Sequence, residues 1–336
     1  MQIGKLPPEV LIPLLSNVRP DQSVIIGPHY GEDSAAVRVR RRVLVAASDP
    51  VTFASDQIGS YAVNVNVNDI AAHGARPRWF LATILLPEGA SESEAASIFG
   101  QINESCERVG VTLIGGHTEV TQSVRQTLVC GCMLGEVDED KLVRTGGARV
   151  GDAVLLAGGI AIEGTAILAR DASERLLSVG VAPDVIQSAR RLLDDPGICI
   201  LDCAMAAVET GEVTSMHDPT EGGLATALRE LAAASGCGLL IHRDAINILP
   251  ECRVICAALD LDPLGLIASG SLLITCAPGR AGEIMDRIRA LSAPVNVIGE
   301  VVPQKCGLAF SDGSGLPVFS RDEIARCFEQ RGEQDT

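Results

Sequence analysis

The sequence predicts a mixed α/β (α+β) chain organised in two domains. The chain has 336 residues, and single domains usually run to ~100–200 residues. Hydrophobic residues make up 47% of the sequence, whereas aromatic residues make up only 3%. A core built from Ala, Val, Ile and Leu is typical of helices packed on sheets and does not favour an aromatic-rich β sandwich.

In the first half of the chain, hairpin, helix and strand patterns alternate. A basic turn at Arg40–Arg42 separates two strand patterns, and Gly74 follows an apolar helical pattern as a stop signal. The strand at 112–114 should end in the glycine-containing segment Gly115–Glu119. We predict helices over residues 6–18, 58–73 and 92–109, and strands over 23–26, 35–39, 43–47, 78–86, 112–114 and 127–137.

A glycine-rich break at residues 145–152 precedes a second set of elements. We therefore expect an N-terminal domain at 1–147, a C-terminal domain at 148–320 and a polar tail at 321–336. In the second domain we predict strands over 153–157, 238–242, 272–276 and 295–301, and helices over 164–171, 183–194, 198–209, 224–234 and 280–291.

The charge balance argues against nucleic acid as a partner. Lys and Arg number 27 against 43 Asp and Glu, a net charge of −16, whereas a phosphate backbone requires a basic surface. We see neither a leader segment nor an apolar run of ~20 residues, so we expect a cytoplasmic protein that does not enter the membrane. In that setting the eleven cysteines should be reduced thiols used for core packing rather than for zinc.

Acidic residues recur beside glycine or other small residues, each at the end of an apolar run or the start of a turn. Carboxylates in such places repel one another unless a cation lies between them, and Mg²⁺ prefers oxygen ligands. Neighbouring glycines let backbone N–H groups approach phosphate oxygens. The sequence therefore predicts a metal–nucleotide site assembled from distant segments. These segments are Gly31–Ala36, Ser48–Pro50, Asn68–Ile70, Gly115–Glu119 and His217–Gly223.

Each acid also has a structural interpretation. Asp33 and Asp49 suit turns, in which an Asp side chain accepts hydrogen bonds from nearby backbone. Asp218 or Thr220 can cap the helix that follows, and capping can coexist with metal binding. Asp69 differs, because it lies in an otherwise apolar helix where a buried charge needs a partner. For Asp69 we favour a metal ligand.

Taken in order, these motifs resemble the aminoimidazole ribonucleotide (AIR) synthase-related, or PurM-like, superfamily. That superfamily includes AIR synthase, selenophosphate synthetase, thiamine-monophosphate kinase, formylglycinamide ribonucleotide amidotransferase and the hydrogenase-maturation protein HypE. The resemblance extends from residue 3 to about residue 320. The matching motifs are Gly-Glu-Asp-Ser-Ala-Ala-Val, Ser-Asp-Pro, Val-Asn-Asp-Ile-Ala-Ala-His-Gly-Ala, Gly-Gly-His-Thr-Glu-Val and His-Asp-Pro-Thr-Glu-Gly-Gly-Leu-Ala.

The resemblance implies a PurM-like fold and ATP chemistry. The N-terminal mixed sheet of such proteins forms a barrel with that of a second subunit, which makes a homodimer. An α/β domain follows, and ATP with Mg²⁺ binds in the cleft between the domains. Members use ATP to phosphorylate a substrate oxygen, and the phosphate is often lost in the next step.

The resemblance also assigns roles to residues. The implied metal ligands are Asp33, Asp49, Asp69, Glu119 and Asp218. The implied ATP contacts are Gly31, Asn68, Gly115, Gly116, Thr118, Thr220, Gly222 and Gly223. The candidate catalytic residue is His117, which can act as a general base, can hydrogen-bond phosphate or substrate, or can be structural. Imidazole would be an unusual ligand for Mg²⁺.

Within the superfamily, Asp49-Pro50, His217–Leu224 and Leu261–Leu264 are similar to HypE and HypE-like proteins. HypE dehydrates a carbamoyl group carried by the cysteine of a C-terminal Pro-Arg-Ile-Cys tail. The corresponding region here reads Ile-Ala-Arg-Cys-Phe-Glu, with no proline before Cys327 and nine residues after it.

We therefore expect an enzyme that activates an amide or carbonyl oxygen by phosphoryl transfer from Mg-ATP. Its substrate would be a small molecule or a carbamoyl-type group, and a maturation protein could be its partner. Two alternatives stay open. One is a small-molecule kinase or cyclo-ligase of the same superfamily, and the other is a non-catalytic nucleotide-binding scaffold in a maturation complex.

Overall fold

The computed structural model describes residues 8–15, 21–51 and 56–332, with side chains described up to Phe328. The described residues form two units, each given below by its outer bounds. The first, here the N-terminal unit, comprises Pro20–Gly27 and Asp33–Leu142. The second, the C-terminal unit, comprises Met1–Arg19, Pro28–Glu32 and Val143–Thr336.

Helices and strands are interspersed along the described chain. The helices are α1 (Pro8–Leu15), α2 (Ile58–Ala72), α3 (Glu92–Val109), α4 (Ile162–Asp171), α5 (Ser173–Ser178), α6 (Pro183–Arg191), α7 (Leu201–Val208), α8 (Gly223–Ser235), α9 (Pro250–Leu259), α10 (Ala281–Arg289) and α11 (Glu323–Gly332). The strands are β1 (Val24–Ile26), β2 (Ala35–Val39), β3 (Arg42–Ala47), β4 (Pro50–Val51), β5 (Arg76–Pro87), β6 (Thr112–Thr121), β7 (Leu128–Val137), β8 (Ala153–Ala157), β9 (Val213–His217), β10 (Gly238–Ile241), β11 (Leu272–Cys276), β12 (Val295–Val302) and β13 (Leu308–Phe310).

The N-terminal unit is a mixed sheet covered by α2 and α3. Its strands lie in the order β1-β2-β3-β7-β5-β6, with β4 beside β7. Among its described strands, only β5 and β6 run parallel to each other, as a crossover through α3 requires. Along β5, Phe80, Ala82 and Ile84 are buried while the alternate residues are half-exposed. One sheet face therefore packs on the helices.

Helix α2 is buried on nearly every side, which suits its small and apolar sequence. It packs against α3 and the sheet, and the Ser105 hydroxyl donates to that of Ser60 at 3.1 Å. Local sequence sets the ends of α3. The hydroxyl of Ser91 accepts the N–H of Glu94 at 3.1 Å, and Gly110 closes the helix with φ of 70°.

The C-terminal unit has a second sheet, ordered β13-β10-β12-β8-β11-β9. Its neighbours are antiparallel except β10 and β13. Every residue of β8 and β11 is buried, so these central strands are covered on both faces. On one face, Leu156 and Leu273 share a core with Leu224 and Leu228 of α8. This packing places the start of α8 beside the end of β9.

The periodic segments agree with the predictions most closely. The strands over 35–39, 153–157 and 272–276 and the helix over 92–109 have the predicted bounds. The helix expected at 6–18 is described as α1, and its remaining residues lie outside the described part. No helix in the described residues is long and apolar enough to cross a membrane.

Candidate functional site

In the N-terminal unit, Asp33 lies next to the end of α2. The backbone N–H of Ser34 donates to Nε2 of His73 at 3.2 Å, and His73 is fully buried at the C-terminus of α2. Asp69, one turn earlier on the same helix face, is 4% exposed. Asp33 and Asp69, two of the predicted metal ligands, thus lie at the same end of α2.

Asp49 is connected to α2 through its backbone. Its N–H donates to Oδ1 of Asn66 at 3.1 Å, and Nδ2 of Asn66 donates to its carbonyl oxygen at 3.3 Å. The side chain of Asp49 is half-buried. Asn66 lies on the same helix face as Asp69, whereas Asn68, fully buried, is about 200° further round the helix. We did not select Asn66 from the sequence, although a polar side chain in an otherwise apolar helix was the signal used for Asp69.

The segment Gly115–Glu119 differs from our expectation. The strand does not end at Ile114, because β6 continues through these residues to Thr121. His117 and Glu119 share one face of the strand, and Nε2 of His117 lies 3.0 Å from Oε2 of Glu119. Their side chains are 64% and 48% exposed. They form an exposed pair on a strand, and Thr118 beside them is also exposed.

The two glycines of β6 have different surroundings. A Cβ at Gly116 would overlap the carbonyl oxygen of Ala82 in β5, whereas a Cβ at Gly115 would lie 3.6 Å from Leu81. The close approach of two backbones therefore explains glycine at position 116 without any ligand.

In the C-terminal unit, β9 ends at the buried His217, and the buried Asp218 follows it directly. His217 is 3% exposed, and Asp218 is 1% exposed. Nε2 of His217 lies 3.1 Å from Oε2 of Glu230 on α8, so Glu230 fixes the orientation of this imidazole. Gly31 packs on the same helix, since a Cβ there would lie 2.8 Å from the carbonyl oxygen of Glu230.

The segment after Asp218 is a tight turn that opens α8. The carbonyl oxygen of Thr220 accepts the N–H of Gly223 at 3.0 Å and the N–H of Ala268 at 3.2 Å. Gly222 and Gly223 have φ of +83° and +66°, which favours glycine at both positions. The turn leads into the N-terminus of a 13-residue helix. The N-terminus is the positive end of the helix dipole.

Three acids of the C-terminal unit escaped our sequence predictions. Glu230 orients His217, and Asp322 accepts the N–H of Gly222 at 2.6 Å. Glu163, in the first turn of α4, is 5% exposed. Burial raises the pKa of Glu163 to about 7, and the charge of Asp322 adds to the rise while Ser269 opposes it. Glu163 could have been selected from sequence because it is an acid within an apolar run, but no local signal marks Asp322.

Cys327 lies inside α11 and is 2% exposed. Nη1 of Arg175 donates to its carbonyl oxygen at 3.1 Å and lies 3.7 Å from its Sγ. The thiol is therefore held within the unit and does not sit at an exposed end.

The donors in each unit suit a hard cation. In the N-terminal unit, Asp33 and Asp69 offer carboxylate oxygens, and Asp218 does so in the C-terminal unit. Carboxylates are the ligands that Mg²⁺ prefers. The neighbouring imidazoles of His73 and His217 already have hydrogen-bond partners. The residues present therefore fit Mg²⁺ better than a softer metal.

Two family models match the chain. They are the N-terminal domain of AIR synthase related protein, over residues 31–137, and its C-terminal domain, over residues 149–309. Carbamoyl dehydratase HypE of Cupriavidus necator is 32% identical over 282 residues, which cover 81% of this chain and 77% of that protein. MJ0676 of Methanocaldococcus jannaschii, named for hydrogenase expression and formation, is 30% identical over 84% of this chain and 83% of its own length.

Solved structures show the same fold. A crystal structure of the hydrogenase maturation protein HypE in complex with ATP has a TM-score of 0.70 at 23% identity, over 94% of this chain and 91% of that one. The protein AaThiL, complexed with AMPPCP and TMP, has a TM-score of 0.73 at 19% identity, over 94% of this chain and 98% of that one.

Proposed function

Because the chain belongs to the AIR synthase-related family and has HypE-like relatives, we propose that it is an enzyme that activates an amide or carbonyl oxygen with Mg-ATP. The observation that carries the proposal is the turn Thr220–Gly223, which opens α8 directly after the buried Asp218. A helix N-terminus attracts phosphate, and a buried carboxylate beside it can bind the Mg²⁺ that accompanies the phosphate. Both family domains support the proposal.

Each unit contributes residues to the proposal. In the C-terminal unit, Thr220, Gly222 and Gly223 are the proposed phosphate-binding turn, and Asp218 is a proposed metal ligand. In the N-terminal unit, the proposed metal ligands are Asp33, Asp49, Asp69 and Glu119. We keep Gly31, Asn68, Gly115, Gly116 and Thr118 as proposed nucleotide contacts. Bound Mg²⁺ would supply positive charge against the phosphates.

The proposed chemistry is in-line phosphoryl transfer to a substrate oxygen. Phosphorylation converts the oxygen of an amide into a good leaving group. This oxygen then leaves as part of the phosphate, which permits dehydration or ring closure. His117 is exposed on β6 and is hydrogen-bonded to Glu119. This pair is the proposed proton acceptor for the substrate group.

The burial of Cys327 bears on the identity of the acceptor. A thiol that carries substrate must reach the reacting phosphate, whereas this one is packed inside α11 and bonded to Arg175. We therefore propose an acceptor that diffuses in or is presented by a partner protein. This observation also favours the second candidate, a small-molecule kinase or cyclo-ligase.

We also propose a homodimer formed through the N-terminal unit. Strand β6 pairs only with β5 in the described chain, and it exposes 51% of Ile114 and 59% of Val120. An edge strand with exposed apolar side chains is a site for pairing with another chain. One relative's structure is a HypE–HypF complex, so a maturation protein is a further proposed partner.

Two measurements test the function. Calorimetry should detect binding of ATP that depends on Mg²⁺, and the chain should release ADP when incubated with the right member of a panel of carboxamides, carbamoyl donors and small alcohols. Retention of phosphate in the product would identify the kinase, and its release would identify the dehydratase or cyclo-ligase. A chain that binds Mg-ATP yet hydrolyses none with any acceptor would favour the scaffold instead.

A further inference from the structure

One buried carboxylate of the C-terminal unit joins three segments of the chain. Asp322 is 1% exposed. Its Oδ2 accepts the N–H of Gly222 at 2.6 Å. Its Oδ1 accepts the N–H of Ile267 at 3.2 Å and that of Ile324 at 2.8 Å. Burial raises the pKa of Asp322 to about 7, so at pH 8 it is mostly charged, and hydrogen bonds to a charged acceptor are among the stronger ones in proteins.

Two of these segments also touch each other directly. The N–H of Ala268 donates to the carbonyl oxygen of Thr220, and a Cβ at Gly223 would lie 2.5 Å from the carbonyl oxygen of Leu264. The turn before α8 therefore lies against residues 264–268, and Asp322 bonds to both. Without Asp322, a buried N–H at Gly222 would lose its acceptor, which is costly.

We propose that Asp322 is a positioning residue for nucleotide binding: it holds the Gly222–Gly223 turn so that the first turn of α8 meets the phosphates of ATP in a fixed orientation. This inference rests on the proposed function. Asp322 does not itself bind phosphate, because both of its oxygens face backbone N–H groups. Asp322 acts through the turn, to which it is hydrogen-bonded although it lies 100 residues from Gly222 in the sequence.

The substitution Asp322→Asn tests the proposal. The amide keeps one acceptor oxygen but places a donor NH₂ group against the N–H of Gly222. A matched control is Asp312→Asn, since Asp312 accepts the N–H of Ser314 at 2.8 Å and its hydroxyl at 2.6 Å in an exposed turn of the same unit. The conservative variant Asp322→Glu keeps a charged acceptor and should lose less affinity than Asp322→Asn.

At pH 8, calorimetry should show the Kd for Mg-ATP rising ~10-fold in Asp322→Asn, equivalent to about 1.4 kcal/mol. The affinity for AMP, which lacks the outer phosphates, should change by less than about twofold, and Asp312→Asn should behave like the wild type. Equal losses for ATP and AMP would indicate general damage to the unit and would overturn the positioning role. Unchanged ATP affinity would overturn it too.

Hydrogen exchange on the wild-type chain keeps the proposal testable if Asp322→Asn does not fold. The amides of Gly222 and Gly223, which have acceptors within the free chain, should be protected before nucleotide is added and should change little afterwards. Rapid exchange that slows only with Mg-ATP would mean that the nucleotide orders the turn, against our proposal. If the wild-type chain binds no Mg-ATP while these amides are protected, the proposed function is wrong and the positioning role falls with it.

Discussion

Arg175 and Cys327 lie 152 residues apart, yet Nη1 of Arg175 donates to the carbonyl oxygen of Cys327 at 3.1 Å and approaches its Sγ at 3.7 Å. The contact connects α5 to α11 within the C-terminal unit. It holds the thiol of Cys327 inside a helix of this unit. This arrangement has a direct consequence for the reactivity of the thiol.

We predict that Cys327 is one of the slowly reacting thiols of the native protein. Iodoacetamide should label the exposed Cys199 and Cys306 well before Cys327, because a buried thiol is not accessible to the reagent. Intact-mass analysis with a carbamoyl donor and ATP should show no adduct on Cys327. Rapid labelling of Cys327, or a carbamoyl adduct that Cys327→Ser removes, would restore the carrier role.

Asp69 should matter for Mg-ATP binding and little for folding. Replacing it by Asn keeps its shape but removes the charge that a divalent cation requires, so the Kd for Mg-ATP should rise at least ~10-fold. Glu94→Gln is a suitable control, since Glu94 accepts a hydrogen bond from Thr127 on the surface of the same unit. Calorimetry and a thermal melt of both variants check this. Wild-type affinity in Asp69→Asn would remove Asp69 from the metal ligands.

Glu163 should make the stability of the protein depend on pH. Burial raises the pKa of its carboxyl from an ordinary 4.5 to about 7, so the folded state favours the protonated form. Its contribution to stability is complete below pH 4.5 and is lost as the pH rises to about 7. Glu163→Gln should therefore be more stable than the wild type at pH 8, by up to about 3 kcal/mol, and equal to it near pH 4.

Urea unfolding at several pH values measures this difference. Glu300→Gln, an exposed acid of the same unit, should leave the pH profile unchanged. Because Asp322 also has a pKa raised by burial to about 7, the comparison is made between Glu163→Gln and wild type at each pH. A Glu163→Gln profile parallel to the wild type would contradict the assignment.

The glycines of β6 provide a matched pair of substitutions. Both have large positive φ, so alanine is strained at either position. Only at Gly116 would the added Cβ overlap a backbone atom of β5, however. Gly116→Ala should destabilise the chain by about 2–4 kcal/mol more than Gly115→Ala, as measured by urea unfolding. Equal losses of stability in the two variants would show that β5 and β6 can move apart at little cost.

Local pattern was sufficient for elements whose own residues carry the signal. Helix α3 has an amphipathic period, Ser91 before it and Gly110 after it, so its bounds could be predicted from sequence. The extent of strand β6 could not be predicted from sequence, because its glycines are typical of a loop. What keeps Gly115–Glu119 extended is pairing with β5, and such pairing depends on a distant segment.

The sequence alone determined the family, the mixed α/β character of the chain and most of its elements, because motif order, hydrophobic period and capping residues are local properties. Only the tertiary structure decided the surroundings of the acids. It placed Asp69 and Asp218 in buried positions, left Glu119 exposed beside His117, and brought Asp322 to Gly222 from 100 residues away. Burial and partnership of a carboxylate depend on which segments pack around it, and those contacts exist only in the folded chain.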